Sequence, residues 1–362
     1  MSGRVLVLGP LPPPVHGAAV VTQGMLEWLR ECGASVRVVD SSADSHGIDS
    51  ITSRRRAARY LLARLRSHLL CCLRLGSRPE VLYVGGAGGA GLLFQLLPVL
   101  VARVLRVPVV FHHHSSAYLS ERSTPMAALC RLTTGNSTHI ALSRQMAEQL
   151  LEKYAARGAG LRVVPLSNAI FVADAVPAPA RQEAAPVRLG HVSNLSLDKG
   201  MQDIVDTAAA LSAAGYPFEL HVAGAARDES TQALVDALAV DPRVVVHGPL
   251  YGAALQQFYG GLDLLLFPSR YRHEAAPLVV LEAASQGVPT VAYPVGSLSE
   301  VVFATELLVD RGAFAAHVSD LVRRWEVVGA GLSAATVEGF RRSRASAAQH
   351  RESLWQRYLR RS

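Results

Sequence analysis

Two glutamates stand at the ends of an apolar run in the second half of the chain. The segment reads EAAPLVVLE, so Glu274 and Glu282 are eight positions apart. Buried carboxylates need partners, and this pair could accept hydrogen bonds from sugar hydroxyls. Pro277 and Gly287 fit the start and end of a helix, so the N–H groups of Ala276–Val279 could bind an anion such as phosphate. The spacing alone leaves open that Glu274 supports the helix cap and Glu282 faces solvent.

A lysine follows the first predicted strand of this second half, in the segment GHVSNLSLDKG. The chain has only two lysines, Lys153 and Lys199, against 34 arginines. A lysine offers a compact point charge where an arginine offers a planar fork. At the entrance of a helix, Lys199 could therefore meet a phosphate, although an ordinary lysine near a helix cap remains the alternative.

Two turns in the first half could also contact a ligand. The turn GPLPPPVHGAAVV leads into a helix at Gly17, where small residues let a ligand approach the backbone, as any tight turn also would. The segment FHHHSS ends an inner strand, and alternation places His112 and His114 on one face. No carboxylate or third ligand follows at metal-binding spacing, so hydrogen bonding to a ligand or packing in the core is favoured over metal binding.

A glycine-rich stretch, GGAGGAG at Gly85–Gly91, has the spacing of a dinucleotide fingerprint between a strand and a helix. The acidic residue expected about 20 positions later is missing, since Arg103 and Arg106 stand there. NAD(P) binding, and with it an oxidoreductase, is therefore the weaker interpretation. The chain also has no Asp-x-Asp pair, so a bound diphosphate would be neutralised by backbone amides, a helix dipole and cations.

Short apolar strands alternate with helical patterns through both halves. Strand candidates such as RVLVLG, VLYVGG, VRLGHVS and LDLLLFPS each precede a helical pattern. This series predicts two doubly wound parallel-sheet domains that face a cleft, with ligands beyond the carboxyl ends of the strands. The predicted domains are 1–168 and 187–339, joined by an Ala/Pro-rich linker at 169–186, and a terminal helix at about 340–362 follows.

Composition narrows the class of protein. With 362 residues, half of them hydrophobic and 18% charged, the chain is expected to fold into two domains. The start of the chain does not resemble a secretory signal, and four cysteines without metal spacing indicate thiols in a reducing cytosol. Arginines and prolines interrupt the run GLLFQLLPVLVARVLRVPVVF, which is interpreted as a buried helix followed by a buried strand.

Positive charge is concentrated in the first half. Residues 1–168 carry 19 Lys and Arg against 9 Asp and Glu, whereas the remainder carries 17 against 20. Eight arginines and no acid lie within ITSRRRAARYLLARLRSHLLCCLRLGSRP, with leucines at helical spacing. This helix, at about 53–78, favours peripheral contact with an anionic membrane, with a solvated helix face as the alternative. No nucleic-acid motif accompanies the arginines, so nucleic acid is not expected as a partner.

Together these motifs resemble the GT-B-fold glycosyltransferases of the large retaining family 4. The E-x7-E motif from Glu274 to Glu282 carries the resemblance, with FPS before it, the KG at Lys199, the GPLPPPVHG start and the VVPLSNAI hinge in the expected order. The resemblance covers nearly the whole chain. It implies two Rossmann-like domains and a C-terminal helix that crosses back to the first domain.

The resemblance also implies roles for these residues. Glu274 would contact the donor sugar, and Glu282 would hold the ribose of the nucleotide. Lys199 would neutralise the diphosphate, and His114, with His112 as its competitor, would line the sugar site. The backbone of Ala276, Pro277 and Leu278, together with the amides near Gly17, would help to bind the donor. The family usually has an arginine where Asn194 stands, which places more of the diphosphate charge on Lys199.

The expected activity is metal-independent, retaining transfer of a sugar from a UDP-, GDP- or dTDP-sugar, without a cofactor. A front-face route is the hypothesis for retention. The basic first domain favours a glycan or lipid-linked acceptor in envelope or exopolysaccharide assembly, at the inner face of the cytoplasmic membrane. A nucleotide-sugar epimerase, which would convert donor without an acceptor, and a non-catalytic binding module are the other interpretations.

Overall fold

The computed structural model describes residues 3–42, 54–155, 160–174 and 185–359. The chain divides into two units, which we call the first unit (Met1–Phe171 with Ser346–Ser362) and the second unit (Val172–Ala345). Much of the predicted linker, residues 175–184, lies outside the described residues, as does the start of the Arg-rich segment. Each unit is described by itself below.

The first unit is built on a six-stranded sheet in which every pairing is parallel. Its strands are β1 (Arg4–Gly9), β2 (Ser35–Asp40), β3 (Val81–Gly86), β4 (Val109–His113), β5 (Thr138–Ala141) and β6 (Val163–Pro165). Its helices are α1 (Gly17–Glu31), α2 (Arg54–Leu75), α3 (Gly91–Val104), α4 (Ala117–Ser120), α5 (Thr124–Leu132) and α6 (Arg144–Tyr154). The spatial order β2-β1-β3-β4-β5-β6 reverses direction between β1 and β3, as doubly wound sheets do.

The second unit repeats the architecture with five parallel strands. These are β7 (Val187–Val192), β8 (Phe218–Ala223), β9 (Val244–Gly248), β10 (Leu264–Phe267) and β11 (Thr290–Ala292). The helices are α7 (Met201–Ala213), α8 (Glu229–Leu238), α9 (Gly252–Gly260), α10 (Leu278–Ser285), α11 (Leu298–Val301), α12 (Phe314–Arg323) and α13 (Trp325–Leu359). The order β11-β10-β7-β8-β9 reverses direction between β7 and β10. The predicted fold of two parallel-sheet domains is confirmed.

The last helix ends in the core of the first unit. Trp355 and Tyr358 pack with sheet residues such as Val5 and Tyr83, and Trp355 is only 1% exposed. The Tyr358 hydroxyl bonds to the Thr138 hydroxyl at 2.7 Å. The sequence predicted helices at roughly 313–325 and 334–358, whereas α13 runs without a break from Trp325. The intervening residues include Gly329 and Gly331, which disfavour helix locally, yet both lie within α13.

Two other expectations need correction. Helix α3 was interpreted as buried, but Leu93 and Val104 are 57% and 73% exposed, because only one side of α3 meets the sheet and its neighbours. The short helices α4 and α5 were not predicted between the strands now seen as β4 and β5. No helix among the described residues is long and apolar enough to cross a membrane. The four cysteines are free thiols, as expected.

Candidate functional site

An ion pair between Lys199 and Glu274 lies at the centre of the second unit's polar site. Lys199 Nζ lies 2.5 Å from Glu274 Oε2, and Ser269 Oγ donates to the same oxygen at 2.8 Å. The ammonium also lies 5.7 Å and 5.1 Å from the ring centroids of Phe267 and Tyr271. Glu274 is 8% exposed, so this carboxylate has the partners that a buried charge requires.

The pair stands at the switch point of the second sheet. Strand β7 pairs with β10 on one side and with β8 on the other. The turns that follow β7 and β10 are therefore neighbours. Lys199 ends the 3₁₀ helix Leu197–Lys199 after β7, and Glu274 follows β10. Ligands of open parallel sheets bind at such points, outside the carboxyl ends of the strands.

Two glycines allow the backbone to approach closely around the pair. Gly200 has φ +84°, and a Cβ there would lie 2.2 Å from the carbonyl oxygen of Pro268. Gly296 has φ +58°, and a Cβ there would lie 1.9 Å from the carbonyl oxygen of Glu274. Both positions combine a left-handed backbone with contact against main chain, so only glycine fits. They fix the segments that carry Lys199 and Glu274.

A second ionic cluster anchors the segment between β10 and Glu274. Arg270 donates from Nε and Nη2 to the two carboxylate oxygens of Asp203, at 3.0 and 2.7 Å. The Tyr293 hydroxyl donates to Asp203 Oδ1 at 2.8 Å, and the Arg270 backbone N–H donates to the carbonyl of Asp198. Burial, helped by the neighbouring Asp203 carboxylate, raises the pKa of Tyr293, and Arg270 works against that rise. This bidentate pairing ties the Glu274 segment to α7.

Helix α10 presents its N-terminus next to Glu274. The sequence predicted Pro277 as the first helical residue, but its ψ of 123° is extended, so Pro277 is the N-cap and α10 starts one position later, at Leu278. Proline offers no side-chain acceptor to the N–H groups of Leu278 and the residues after it, which have no partner within the helix. At the other end, Gly287 has φ +75° and closes the helix as predicted. Ala276 precedes the cap and is 9% exposed.

Glu282 is held inside the fold by a tyrosine. It lies in the middle of α10, and the hydroxyl of Tyr259 donates to its Oε2 at 2.9 Å. Tyr259 is fully buried and Glu282 is partly buried, so the alternative in which Glu282 simply faces solvent is wrong. Burial raises the pKa of Glu282, and the hydrogen bond from Tyr259 works against that rise. Asn194, by contrast, is exposed in the turn after β7.

The histidines of the first unit lie at the end of β4. The hydroxyl of Tyr83 bonds to His112 Nδ1 at 2.8 Å, and the rings of His112 and His114 are 4.5 Å apart. The two side chains therefore share a face, as alternation predicted. His112 is fully buried, whereas His114 follows the strand and is half-buried. Burial lowers the pKa of His114 to about 3 and that of His112 well below its usual range.

The histidines have unsatisfied nitrogens. The Nε2 atoms of His112 and His114 are buried, and neither has a hydrogen-bond partner among the described residues. The turn that contains Gly17 begins α1, where His16 Nδ1 accepts from the N–H of Ala19 at 3.3 Å. A coulombic contribution from His16 also lowers the pKa of His114, which indicates that this turn lies near the histidines. The first unit therefore brings Gly17, His112 and His114 to one end of its sheet.

The glycine-rich stretch is explained by packing. A Cβ at Gly86 would lie 2.6 Å from the Phe111 ring, and one at Gly85 would lie 3.4 Å from the Cα of Gly9. Gln95 bonds to the Gly85 carbonyl and to the N–H of Ala87, so it occupies the turn that a pyrophosphate would need. Across the part of the chain that the structure describes, no three His, Cys, Asp or Glu side chains form a metal-binding group.

Sequence reasoning missed several residues that build these sites. Ser269, Tyr259, Tyr293 and the Asp203–Arg270 pair all position predicted residues. Asp203 and Arg270 are 67 positions apart, so no local periodicity could link them. The FPS that precedes the E-x7-E motif did contain Ser269, and this was the one local signal available.

Comparisons with known proteins show that parts of this chain are similar to glycosyltransferases. Residues 186–324 match the family described as Glycosyl transferases group 1. The D-inositol 3-phosphate glycosyltransferase of Arthrobacter sp. (strain FB24) is 29% identical over 204 residues, which are 53% of this chain and 48% of that protein. The alpha-D-kanosaminyltransferase of Streptomyces kanamyceticus is 24% identical over 261 residues, covering 67% and 66%. The chain thus spans about half the length of the first of these relatives.

Solved structures share the fold across the whole chain. Sucrose-phosphate synthase from Thermosynechococcus elongatus superimposes with a TM-score of 0.69 at 16% identity, covering 98% of both chains. Anabaena HepE in complex with UDP-glucose gives a TM-score of 0.65 at 15% identity, also over 98% of both chains. The chain therefore has the GT-B fold, and residues 186–324 of its second unit are similar to the group 1 glycosyl transferases.

Proposed function

We propose that this chain, with its similarity to the group 1 glycosyl transferases and its GT-B fold, transfers a sugar from a nucleotide-diphosphate donor to a glycan or lipid-linked acceptor. The transfer is proposed to retain the anomeric configuration and to need no metal ion. The observation that carries the proposal is the Lys199–Glu274 pair at the sheet switch point, directly before the N-terminus of α10.

The donor diphosphate is proposed to bind against Lys199 and the first N–H groups of α10. Bond cleavage places negative charge on the leaving diphosphate, and preorganised donors and cations stabilise such charge most effectively. Lys199 is already held in place by Glu274 and by two aromatic rings, so little reorganisation is needed when the phosphate arrives. The side-chain amide of Asn194, in the turn after β7, adds an uncharged donor.

Glu274 and Glu282 are proposed to bind the two sugars of the donor. Glu274, four positions before α10, accepts from the hydroxyls of the transferred sugar, and Glu282 accepts from those of the ribose. Tyr259 orients the Glu282 carboxyl and opposes the rise in its pKa. In the first unit, the unsatisfied Nε2 of His114, with that of His112 behind it, supports a role in binding a sugar hydroxyl.

Retention is proposed to follow a front-face route, in which the acceptor attacks from the side of the leaving group. The leaving diphosphate then takes the proton of the acceptor, and Lys199 with the α10 amides stabilises the charge. A covalent glycosyl-enzyme intermediate, trapped with a slow donor and detected by mass spectrometry, would contradict this route. The anomeric configuration of the product, read by NMR, tests retention itself.

The location of the acceptor is proposed from the surface of the first unit. Helix α2 exposes arginines such as Arg59 and Arg66 beside exposed leucines. Such a helix binds an anionic membrane surface peripherally. An acceptor in envelope or exopolysaccharide assembly at the inner face of the cytoplasmic membrane is therefore proposed.

Donor binding is the first test. Thermal unfolding is followed with UDP-, GDP- and dTDP-sugars, each with EDTA or with Mg²⁺, and UDP-glucose is included because HepE was solved with it. A donor at 100 times its Kd adds about 2.7 kcal/mol to the free energy of unfolding. We expect one nucleotide sugar to stabilise the protein, and we expect EDTA to leave that stabilisation unchanged.

Turnover is the second test. The stabilising donor, labelled in its sugar, is incubated with lipid and glycan fractions, and label is expected in one of them. Conversion of the donor to an epimer without any acceptor would replace the proposal with an epimerase. Stabilisation by NAD(P) alone would contradict it altogether, and a requirement for Mg²⁺ would overturn its metal-independent part.

A further inference from the structure

Helix α3 exposes a continuous apolar stripe on the first unit. Leu93, Leu97, Leu100 and Val104 are 57%, 40%, 45% and 73% exposed. Their spacing of four, three and four residues places them on one side of the helix. Scattered apolar residues are normal on protein surfaces, but a contiguous patch marks an interaction site. The stripe accordingly indicates a partner that accepts apolar surface.

The stripe opens into a groove between α3 and α5. The groove has a volume of about 600 Å³ and is lined by Leu93, Leu96, Leu97, Leu100, Ala128, Leu132 and Arg131. Arg131, in the last turn of α5, is its one polar lining residue and is itself exposed. An apolar groove with a single cation at its wall matches a molecule that has a hydrocarbon chain and an anionic end.

Helix α2 enlarges this surface. It packs beside α3, where the rings of His68 and Phe94 are 5.8 Å apart. Leu62, Leu65, Leu69 and Leu73 form a second helical row and are 64%, 44%, 45% and 78% exposed. Two neighbouring helices therefore both present leucines to solvent, a much larger apolar area than one helix alone provides.

The charges around this surface decide the kind of partner. Helices α2, α3 and α5 contain no Asp or Glu, and the sequence has no acid between Glu80 and Glu121 or between Glu121 and Glu148. Exposed arginines at Arg66, Arg103 and Arg131 accompany the leucines. A second copy of the chain, docked by the same face, would place arginine against arginine with no acid to pair. The surface is complementary to an anionic partner instead.

We propose that this face docks on an anionic lipid bilayer and that the α3–α5 groove takes one acyl chain, with Arg131 at the lipid phosphate. The arginines supply attraction to the headgroups, and the two leucine rows enter the boundary between headgroups and chains. The inference deepens the membrane location within the proposed function. It adds an apolar insertion site on α3 and α5, and it holds whether or not the donor site is active.

Vesicle co-sedimentation without donor or acceptor tests the proposal. The full chain is mixed with vesicles of phosphatidylcholine alone or with a third of phosphatidylglycerol. The wild type is expected to sediment with the anionic vesicles only. Leu97→Gln combined with Leu100→Gln lowers that affinity about tenfold through lost apolar burial. Arg131→Gln lowers it about fivefold. Leu151→Gln on α6, an exposed leucine outside this face, leaves it unchanged.

A fluorescence measurement tests insertion directly. The tryptophan fluorescence of the Leu97→Trp variant is measured with anionic vesicles whose acyl chains carry bromine. We expect the bromine to quench it more than it quenches the fluorescence of the wild type. Equal donor-induced thermal stabilisation of the double glutamine variant and the wild type shows that the fold and the donor site are intact, which separates this proposal from the proposed function.

Three results would overturn the proposal. One is a wild type that stays in solution with anionic vesicles, and another is a double variant that sediments as the wild type does. The third is a wild-type dimer in sedimentation velocity that the double variant converts to a monomer, since the occupant would then be a second copy of the chain.

Discussion

At the end of β10 the second unit holds Lys199 and Glu274 as an ion pair, whereas at the end of β4 the first unit holds consecutive histidines that burial keeps neutral. Both strands lie inside parallel sheets, so the topology alone does not distinguish them. The difference comes from the turns that follow. The β7 and β10 turns bring a cation and an anion together, whereas at the β4 end Tyr83 bonds to His112 and the ring of His114 packs beside it.

This contrast separates two kinds of recognition. A charged pair beside a helix N-terminus is suited to a charged group such as a diphosphate. Neutral imidazoles with unsatisfied nitrogens are suited to hydroxyls, because each can donate or accept a hydrogen bond. If the contrast is functional, removing charge from the second unit should have a larger effect on catalysis than any single change in the first.

Lys199→Ala gives the largest expected effect. Removing one stabilising group from a developing anion costs about a hundredfold to a thousandfold in rate. Transfer of labelled sugar from the preferred donor is measured, with Lys153→Ala, the only other lysine, as the matched control. A Lys199→Ala variant that turns over at the wild-type rate would mean that the ion pair is only structural.

Gly296→Ala tests whether the backbone around Glu274 is as tightly fixed as its contacts indicate. A Cβ there lies 1.9 Å from the carbonyl of Glu274, whereas at Gly215 no heavy atom lies within 4 Å of an added Cβ. Both glycines have positive φ, +58° and +68°, so Gly215→Ala carries the conformational cost alone. Urea unfolding is expected to show a further loss of about 1–3 kcal/mol for Gly296→Ala. Equal losses of unfolding free energy in Gly296→Ala and Gly215→Ala would contradict this prediction.

The sequence was sufficient for the architecture and for the proximity of Lys199 and Glu274. Alternating strand and helix patterns predicted both parallel sheets, and the order of turns predicted that Lys199 and Glu274 belong to one region. Those features depend on local pattern and on the rule that parallel strands end at one edge. The ion pair itself, with its 2.5 Å contact, was not predicted, since Lys199 was expected to face phosphate.

What the sequence did not reveal depends on contacts between distant residues. Tyr259 and Glu282 are 23 positions apart, and Asp203 and Tyr293 are 90 apart. The exposure of α3 could not be predicted either. An apolar helix has the same sequence pattern whether its second face is covered by protein or exposed to solvent. Only the packing of neighbouring elements decides between those two cases.

Acidification should destabilise the first unit before the second. Burial lowers the pKa of His114 and His139 to about 3, and those of His112 and His113 well below the usual range. In the second unit, burial lowers the pKa of His191 to about 4. Such histidines are neutral when folded and gain protons when unfolded, so the stability that they contribute above about pH 6.5 is lost as the pH falls toward their folded pKa values.

Each of these histidines contributes about 1.4 kcal/mol per pH unit within that window. Hydrogen exchange between pH 7 and pH 5, corrected for the intrinsic rate, is expected to show the earlier loss of protection in the strands of the first unit. Earlier loss in the second unit would mean that the histidines of β4 and β5 do not control acid stability.

Tyr259→Phe gives the smallest expected effect and sharpens the role of Glu282. The change removes one hydrogen bond to the carboxyl, worth about 1 kcal/mol, while the ring remains in the core. If Glu282 binds ribose, KM for the donor rises about fivefold with little change in kcat. The Tyr259 hydrogen bond opposes the rise in the pKa of Glu282, so this pKa should be higher in the variant. On acidification, the variant should therefore lose donor binding at a higher pH than the wild type does. Tyr251→Phe, at a position 62% exposed, is the control. A fall in kcat at constant KM would instead place Glu282 at the reacting sugar.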